Sequence, residues 1–320
     1  MSNNLNVLLI GAGYMGKEYG KVLNELNVNY SVVCRSEKSA STFYNELGVK
    51  PISGGINHAL EEINEKPDVA IVAVNVEFLS STVITLLNYG IRKILVEKPA
   101  GLNKNEIQKV YETSKDMNAE VYVAYNRRFY ASTEKALEII SQDGGVSSFN
   151  FEFTEWGYKI EKTSHAPKVK EEWLLANSTH VIDLAFFLGG YPKEMCSFQS
   201  GKLDWHTRAS KYAGAGITDE EILFSYQANW DAPGRWSVEI LTKEHRLFFR
   251  PMEELAIQNR GSVEIKNIEI DNKLDIDFKP GLYKQVKAFL SKEKDNRLTT
   301  IDEQLKHMKF YEKIDGLNKI

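Results

Sequence analysis

The sequence predicts an α/β protein in two parts: a doubly wound parallel sheet at the N-terminus, and an α+β C-terminal domain with a mostly antiparallel open sheet. Three observations support this prediction. The chain has 320 residues, a length that corresponds to about two domains. Its first third alternates short apolar runs with helical patterns. In several later runs apolar and polar residues alternate, as they do in antiparallel strands.

The first domain is predicted to cover residues 1–124. Short apolar runs form its parallel strands, and the helical patterns between them form right-handed crossovers. The predicted strands are 5–10, 30–34, 69–74, 94–96 and 121–124, and the predicted helices are 14–26, 39–47, 79–89 and 104–117. Such a sheet binds its ligand beyond the carboxyl ends of its strands, so residues that directly follow strands are the functional candidates.

The second domain is predicted to cover residues 125–320, although its last helices can pack back on the first domain. Its first segment, 125–140, is predicted to start as a loop (YNRRF) and to become a helix. The later predicted strands are 146–156, 222–230, 236–241, 246–249 and 262–270, and the predicted helices lie within 173–188, 282–291 and 301–314.

Composition and charge exclude several classes of protein. Hydrophobic residues make up 42% and charged residues 26%, which is ordinary globular usage. A net charge of -4 argues against a nucleic-acid partner. No apolar run reaches the length of a membrane span, and residues 1–6 lack a signal-peptide pattern, so we expect a cytoplasmic location and no membrane partner. Cys34 and Cys196 have no metal-ligand spacing, so no metal is predicted, and Cys196 is expected to be buried.

A glycine-rich turn joins the first strand to the first helix. Gly11, Gly13 and Gly16 fit G-x-G-x-x-G in the strand-to-helix context that this motif requires. The first glycine allows a tight turn, the second lets a diphosphate approach the backbone, and the third lets the helix lie close to the strand. The helix that starts at Tyr14 and Met15 presents its N-terminus to the phosphates. We predict that this turn binds a dinucleotide in a Rossmann domain.

The end of the second strand predicts which dinucleotide is preferred. A domain that prefers NAD usually carries Asp or Glu there, whereas this chain has Cys34, Arg35 and Ser36. Arg35 can pair with a 2′-phosphate and Ser36 can donate a hydrogen bond to it, so NADP(H) is expected to be preferred over NAD(H). The alternative is that Arg35 is an ordinary surface arginine and that Glu37 holds the ribose.

Four further residues that follow strands complete the predicted coenzyme site: Asn75, Glu97, Lys98 and Asn126.

Several motifs together give the sequence a resemblance to a known family. Glu97-Lys98-Pro99 follows an apolar strand, the segment 125–129 reads YNRRF, and His180 precedes Asp183 at the start of a helix that ends at a glycine pair. With the glycine turn, these motifs resemble the Gfo/Idh/MocA family (glucose–fructose oxidoreductase, inositol dehydrogenase and relatives) over essentially the whole chain.

The resemblance implies a function and roles for three residues. It implies hydride transfer between nicotinamide and a carbon that bears a hydroxyl or carbonyl, commonly in a sugar, sugar nucleotide or polyol. Lys98 matches the lysine that organises the substrate hydroxyl, His180 the proposed general acid/base, and Asp183 the aspartate one turn later. This chemistry is physically reasonable, because imidazole titrates near neutral pH and a lysine stabilises developing negative charge. The family's open sheet often supports subunit contacts, so a homodimer or homotetramer is expected.

The sequence departs from the family at one point before His180. Many members have an aspartate four residues earlier and often a glycine two residues earlier, where this chain has Ala176 and Ser178. The candidates that would compensate are Asn177, Asp183, Glu171 and Glu172. Because this acid is missing, two alternatives to a sugar oxidoreductase are considered: an NADP(H)-binding sensor or regulatory protein on the same scaffold, and a reductase of a non-sugar acceptor. The polar segment 158–172 is either a substrate lid or a solvated connection.

Overall fold

The computed structural model describes residues 5–317, which form two compact units. The first unit contains the chain up to Asn126 together with Leu274–Lys306. The second contains Arg127–Lys273 and the chain from His307 onward. The parts of the predicted domains at 1–4 and 318–320 lie outside the described residues. Between residues 5 and 317, no helix has the length and apolar character needed to cross a bilayer.

The first unit contains a six-stranded sheet and its surrounding helices; the elements are numbered along the whole chain. Its strands are β1 (Asn6–Ile10), β2 (Asn29–Val33), β3 (Val69–Val72), β4 (Lys93–Glu97), β5 (Glu120–Ala124) and β14 (Thr299–Thr300). Its helices are α1 (Tyr14–Glu25), α2 (Glu37–Leu47), α3 (Ile56–Glu62), α4 (Leu79–Tyr89), α5 (Lys104–Asp116), α10 (Lys273–Asp277) and α11 (Leu282–Leu290), and α12 (Ile301–Asp315) begins here.

The strand order is β14-β5-β4-β3-β1-β2, and all pairs are parallel except β14 with β5. This confirms the doubly wound parallel sheet. Ile10 is in register with Val33 on one side and with Val72 on the other. The carboxyl ends of β1, β2 and β3 therefore meet at one edge of the sheet.

The second unit is built on an eight-stranded sheet. Its strands are β6 (Ser148–Glu152), β7 (Pro192–Ser200), β8 (Lys211–Thr218), β9 (Leu223–Asn229), β10 (Ser237–Leu241), β11 (His245–Phe249), β12 (Ala256–Asn259) and β13 (Ile265–Asn267). Its helices are α6 (Ala131–Gln142), α7 (Gly157–Ile160), α8 (Pro167–Glu171) and α9 (Thr179–Gly189). The order is β13-β12-β11-β10-β6-β9-β8-β7, and only β6 and β9 pair in parallel. This confirms the mostly antiparallel second sheet.

Strand β8 was absent from the sequence prediction, and its glycines explain why. A Cβ at Gly214 would lie 2.3 Å from the Tyr226 ring, and a Cβ at Gly216 would lie 2.2 Å from the Glu194 carbonyl oxygen. Glycine weakens the strand signal in a sequence, yet here the neighbouring strands require it. Strands β7 and β12 and helix α3 were also not predicted.

Helix α9 packs on this sheet through an aromatic core. The Phe186 ring lies 5.9 Å from Phe149, 5.4 Å from Phe151 and 5.2 Å from Phe224, each in an edge-to-face arrangement. Phe186 has no exposed surface. This packing fixes the position of α9, and with it the histidine near its start, relative to the sheet.

A buried polar cluster in the second unit holds the end of α12. Arg208 forms an ion pair with Asp315 Oδ2 at 2.9 Å and donates a hydrogen bond to Glu172 Oε1 at 3.0 Å, and His206 Nε2 lies 4.0 Å from Asp315 Oδ1. Asp315 is only 4% exposed, and burial raises its pKa to about 7 although Arg208 opposes the rise. An unfolded Asp titrates near pH ~3.9, so the native state retains a proton that the unfolded chain has released. This carboxyl therefore stabilises the fold below about pH 4, and the stabilisation is lost as the pH rises to about 7.

Replacing Asp315 by Asn should remove this pH dependence. We expect the free energy of unfolding of D315N to increase relative to that of the wild type as the pH rises from about 4 to about 7, because only the wild type must ionise a buried group. Urea denaturation followed by circular dichroism measures the difference. The matched control is D231N, at an exposed aspartate. Parallel stability curves for D315N and the wild type would contradict the assignment.

Candidate functional site

Two of the three motif glycines are required by the packing of the turn itself. Gly11 has a φ of +114°, its N–H donates to the Val33 carbonyl at 2.8 Å, and a Cβ would lie 2.3 Å from the Ala73 carbonyl oxygen. A Cβ at Gly16 would lie 1.8 Å from the Gly11 carbonyl oxygen. The turn can therefore close only when both positions lack a side chain.

Gly13 differs from the other two glycines, because a Cβ there would have no protein atom within 4 Å. Gly13 is the N-cap of α1, where no side chain accepts a hydrogen bond from the helix N–H groups, and the first turn carries no acidic residue. Packing within the chain thus gives no reason for glycine at this position, whereas the approach of a diphosphate does. The geometry fits a dinucleotide.

A cavity of about 710 Å³ opens at this edge of the first sheet, a size typical of ligand pockets. It contains six of the predicted coenzyme residues, Gly11, Gly13, Cys34, Arg35, Ser36 and Asn75. The other three motif residues, Tyr14, Met15 and Gly16, form the first turn of α1. The sequence analysis did not single out the remaining lining side chains, notably Phe78, Ser39 and Thr82.

The residues after β2 give the cavity a positive rim. The Arg35 guanidinium lies 4.6 Å from the centre of the Phe78 ring, and both side chains are partly exposed. Ser36 accepts a hydrogen bond from the Ser39 N–H at 3.3 Å and so caps α2. Glu37 accepts a hydrogen bond from the Ser53 hydroxyl and does not line the cavity. The groups offered to a ligand here are therefore a guanidinium and hydroxyls.

Two predicted site residues lie at the carboxyl end of β4, Glu97 as its last residue and Lys98 directly after it, and neither lines the cavity. Glu97 accepts a hydrogen bond from the Tyr19 hydroxyl at 2.7 Å. Burial raises the pKa of Glu97, and the positive charges of Lys98 and Lys279 oppose that rise. Lys98 is buried, with 9% of its surface exposed, and is joined to Pro99 by a cis peptide bond.

Lys279 is a cation beside the glycine turn that the sequence analysis missed. Its Nζ lies 5.3 Å from the centre of the Tyr14 ring. The following residue, Pro280, accepts a hydrogen bond from Asn126 Nδ2 at 2.9 Å. Asn126 therefore holds the segment that carries Lys279. The available signal was the Lys-Pro-Gly turn before α11, but no local pattern links residue 279 to residue 14.

In the second unit, His180 is the second residue of α9, and its ring lies 6.2 Å from the Trp236 ring. Asp183, one turn later, is 1% exposed and forms a bidentate ion pair with Arg128: Nε to Oδ2 at 2.8 Å and Nη2 to Oδ1 at 2.6 Å. Arg128 also donates to the Tyr191 hydroxyl at 3.0 Å. Both Asp183 oxygens thus take part in anchoring α9.

A buried carboxylate near Ala176 comes from a residue that the sequence analysis did not consider. Glu155 is 2% exposed and accepts hydrogen bonds from Asn177 Nδ2 at 2.9 Å and from Ser178 Oγ at 2.8 Å. Of the predicted compensating residues, only Asn177 is hydrogen-bonded to this acid in the described contacts.

The other two acidic candidates have different partners. Glu171 accepts a hydrogen bond from the Thr207 hydroxyl at 2.8 Å, and Glu172 pairs with both terminal nitrogens of Arg208 at 3.0 Å. These two carboxylates belong to the cluster that holds Asp315.

The structure corrects one minor expectation: Cys196 is exposed on β7, on the sheet face opposite α9, instead of buried. Within residues 5–317, no three His, Cys, Asp or Glu side chains form a group that could hold a metal ion.

Comparison with known proteins shows a family match over residues 5–125 and a shared fold over nearly the whole chain. Residues 5–125 match the Gfo/Idh/MocA family model, an oxidoreductase family with an NAD-binding Rossmann fold. No curated protein matches the sequence. Three solved structures illustrate the shared fold. A dehydrogenase (MviM) from Clostridium difficile is 18% identical, with a TM-score of 0.78 over 98% of this chain and 100% of that chain.

The second is UDP-N-acetylglucosamine 3-dehydrogenase GnnA from Acidithiobacillus ferrooxidans, 12% identical with a TM-score of 0.76 over 98% of this chain and 97% of that one. The third is levoglucosan dehydrogenase in complex with NADH, 17% identical with a TM-score of 0.77 over 97% and 95%. The family match and the glycine-turn geometry agree, and the predicted resemblance is confirmed over residues 5–125, which match the model of the Gfo/Idh/MocA family of NAD-binding oxidoreductases.

Proposed function

We propose that this protein is an NADP(H)-preferring oxidoreductase that transfers a hydride between nicotinamide and the hydroxyl or carbonyl carbon of a sugar, sugar nucleotide or polyol. The observation that carries the proposal is the glycine turn, where Gly13 has no role in protein packing but suits an approaching diphosphate. The sugar substrates named for two proteins of the same fold, N-acetylglucosamine linked to UDP and levoglucosan, support the substrate class.

The first unit supplies the coenzyme contacts. The N–H groups at the start of α1 bind the diphosphate, and Arg35 and Ser36 bind the 2′-phosphate of NADP(H). Two observations support a preference for NADP(H): Arg35 lines the cavity, and Glu37 does not line it but accepts a hydrogen bond from Ser53. The coenzyme, when bound, supplies the hydride chemistry. The protein holds the coenzyme and transfers the proton of the substrate hydroxyl.

Lys98 and His180 are proposed to act on the proton of the substrate hydroxyl. The Lys98 ammonium stabilises negative charge on the substrate oxygen, and the His180 imidazole accepts or returns the proton. For Asp183 we propose a positioning role: its ion pair with Arg128 holds α9, and α9 carries His180. Glu155 holds the turn before α9 through Asn177 and stands in for the acid that is missing at Ala176.

The predicted homodimer or homotetramer also remains a proposal, as does the cytoplasmic location. The sheet face opposite α9 exposes Phe198 on β7 and Leu223 on β9, at 71% and 62%. Exposed apolar residues on one sheet face support contact with a second copy.

Two glycine variants separate coenzyme binding from folding. Gly13→Ala should weaken NADPH binding roughly tenfold or more and leave the unfolding midpoint unchanged, because the added methyl group meets only the diphosphate. Gly16→Ala should lower stability by about 1–3 kcal/mol or more, because its Cβ overlaps the Gly11 carbonyl. Fluorescence titration and urea unfolding measure the two effects. Unchanged NADPH affinity in G13A would remove the proposed diphosphate site.

Arg35→Ala tests the coenzyme preference. The variant should bind NADPH roughly 10- to 100-fold more weakly, as expected for the loss of a charged hydrogen bond, while NADH binding stays within about twofold. Titration of both coenzymes against the wild type and the control Glu37→Gln measures this. If the wild type binds NADH as tightly as NADPH, the predicted preference for NADP(H) is wrong, although the oxidoreductase proposal stands.

Lys98→Met and His180→Asn test the proton chemistry. Each should lower kcat by about 10²–10⁴, because each removes a group that acts on the substrate hydroxyl, and H180N should keep NADPH binding. A wild-type protein that binds NADPH tightly but turns over no sugar or carbonyl compound would instead support the sensor alternative that Ala176 keeps open.

A further inference from the structure

A row of alternating cations and aromatic rings lies beside His180 within the second unit. Lys159 Nζ lies 4.0 Å from the Trp156 ring centre, and the Arg235 guanidinium lies 4.9 Å from the same ring. Arg235 also lies 4.6 Å from the Trp236 ring, and Arg127 lies 4.8 Å from it. We call these five residues the cation–tryptophan row.

The row carries more positive than negative charge on its exposed side. Lys159 and Arg235 are both exposed, and no carboxylate of residues 5–317 lies within 4.0 Å of Lys159 Nζ. Arg235 has Glu155 as its ion-pair partner at 3.4 Å, but that carboxylate is buried and already accepts two hydrogen bonds. One carboxylate can neutralise at most one of the two exposed cations.

The tryptophans add two features that suit a sugar. Trp156 is 39% exposed, so it offers an aromatic surface between two cations. Trp236 is 5% exposed, and its buried indole N–H has no acceptor among the described residues. A buried donor without an acceptor costs free energy that an incoming acceptor can recover. Sugars present C–H faces to aromatic rings and hydroxyl oxygens to such donors.

We propose that the cation–tryptophan row is the specificity subsite for an acidic sugar, one that carries a phosphate or carboxylate group. The inference rests on the proposed function, because His180 is taken as the residue at the reacting hydroxyl. The Trp236 ring lies 6.2 Å from the His180 ring and 4.6 Å from the Arg235 guanidinium. With its reacting hydroxyl at His180, a sugar places its acidic substituent at Arg235 and Lys159, where guanidinium and ammonium donors pair with its oxygens.

The test compares Arg235→Gln with Arg246→Gln, a matched control. Arg246, on β11, is also an arginine paired with a glutamate, Glu239, and placed over an aromatic ring, 5.2 Å from the centre of Phe248, but it lies outside the row. Calorimetry measures the binding of glucose, glucose 6-phosphate, glucuronate and UDP-glucose to the full chain loaded with NADPH. Steady-state assays with the same four compounds measure KM and kcat.

We expect at least one acidic compound to bind the wild type roughly tenfold or more tightly than glucose, and more weakly as salt is added. R235Q should remove this advantage chiefly through weaker binding and a higher KM for the acidic compound, and R246Q should keep it. Glucose 6-phosphate, glucuronate and UDP-glucose distinguish a phosphate, a carboxylate and a nucleotide diphosphate as the source of the charge.

The outcomes distinguish failure of the inference from failure of the proposed function. If neutral glucose binds and turns over as well as every acidic compound, or if R235Q and R246Q behave alike, the subsite assignment is overturned and the oxidoreductase proposal stands. If an acidic sugar binds in an Arg235-dependent way but no compound is turned over, the subsite stands and the oxidoreductase proposal fails.

Discussion

The first unit depends on one steric constraint, the close approach of α1 to the ends of β1 and β3. Only glycine at positions 11 and 16 allows it, since each Cβ would overlap a backbone oxygen. This contact aims the N-terminus of α1 at the edge where the parallel strands end, and the N–H groups and dipole there attract anions. Gly13 then matters for a different reason, because its missing side chain leaves space for a ligand.

The second unit depends on a buried charge pair. Arg128 and Asp183 are almost fully buried, and two charges can be buried together only if each satisfies the other. Removing one partner of such a pair typically costs about 3–5 kcal/mol. Together with the packing of Phe186 on the sheet, the pair fixes α9 and hence His180. The segment that leads into this helix is held by Glu155, a residue outside α9, through Asn177 and Ser178.

The two arginines on Trp236 illustrate how positive charge is kept near a candidate proton-transfer group. A guanidinium lying on an indole ring is stabilised by the negative ring face. Arg235 in addition pairs with the buried Glu155 carboxylate. Exposed cations held in this way favour anionic ligands.

The sequence by itself determined the features that have a local period or turn: the strand–helix alternation, the glycine turn after β1, and the arginine after β2. These are encoded by residues a few positions apart, so one sequence is enough to read them. Only the tertiary structure shows that Asp183 pairs with Arg128 and that Glu155 accepts a hydrogen bond from Asn177. It also shows that Arg35 lies over the Phe78 ring and that β8 requires glycine. Those contacts join residues from separate elements, and no local pattern records which distant side chain will complete a buried charge or fill a space.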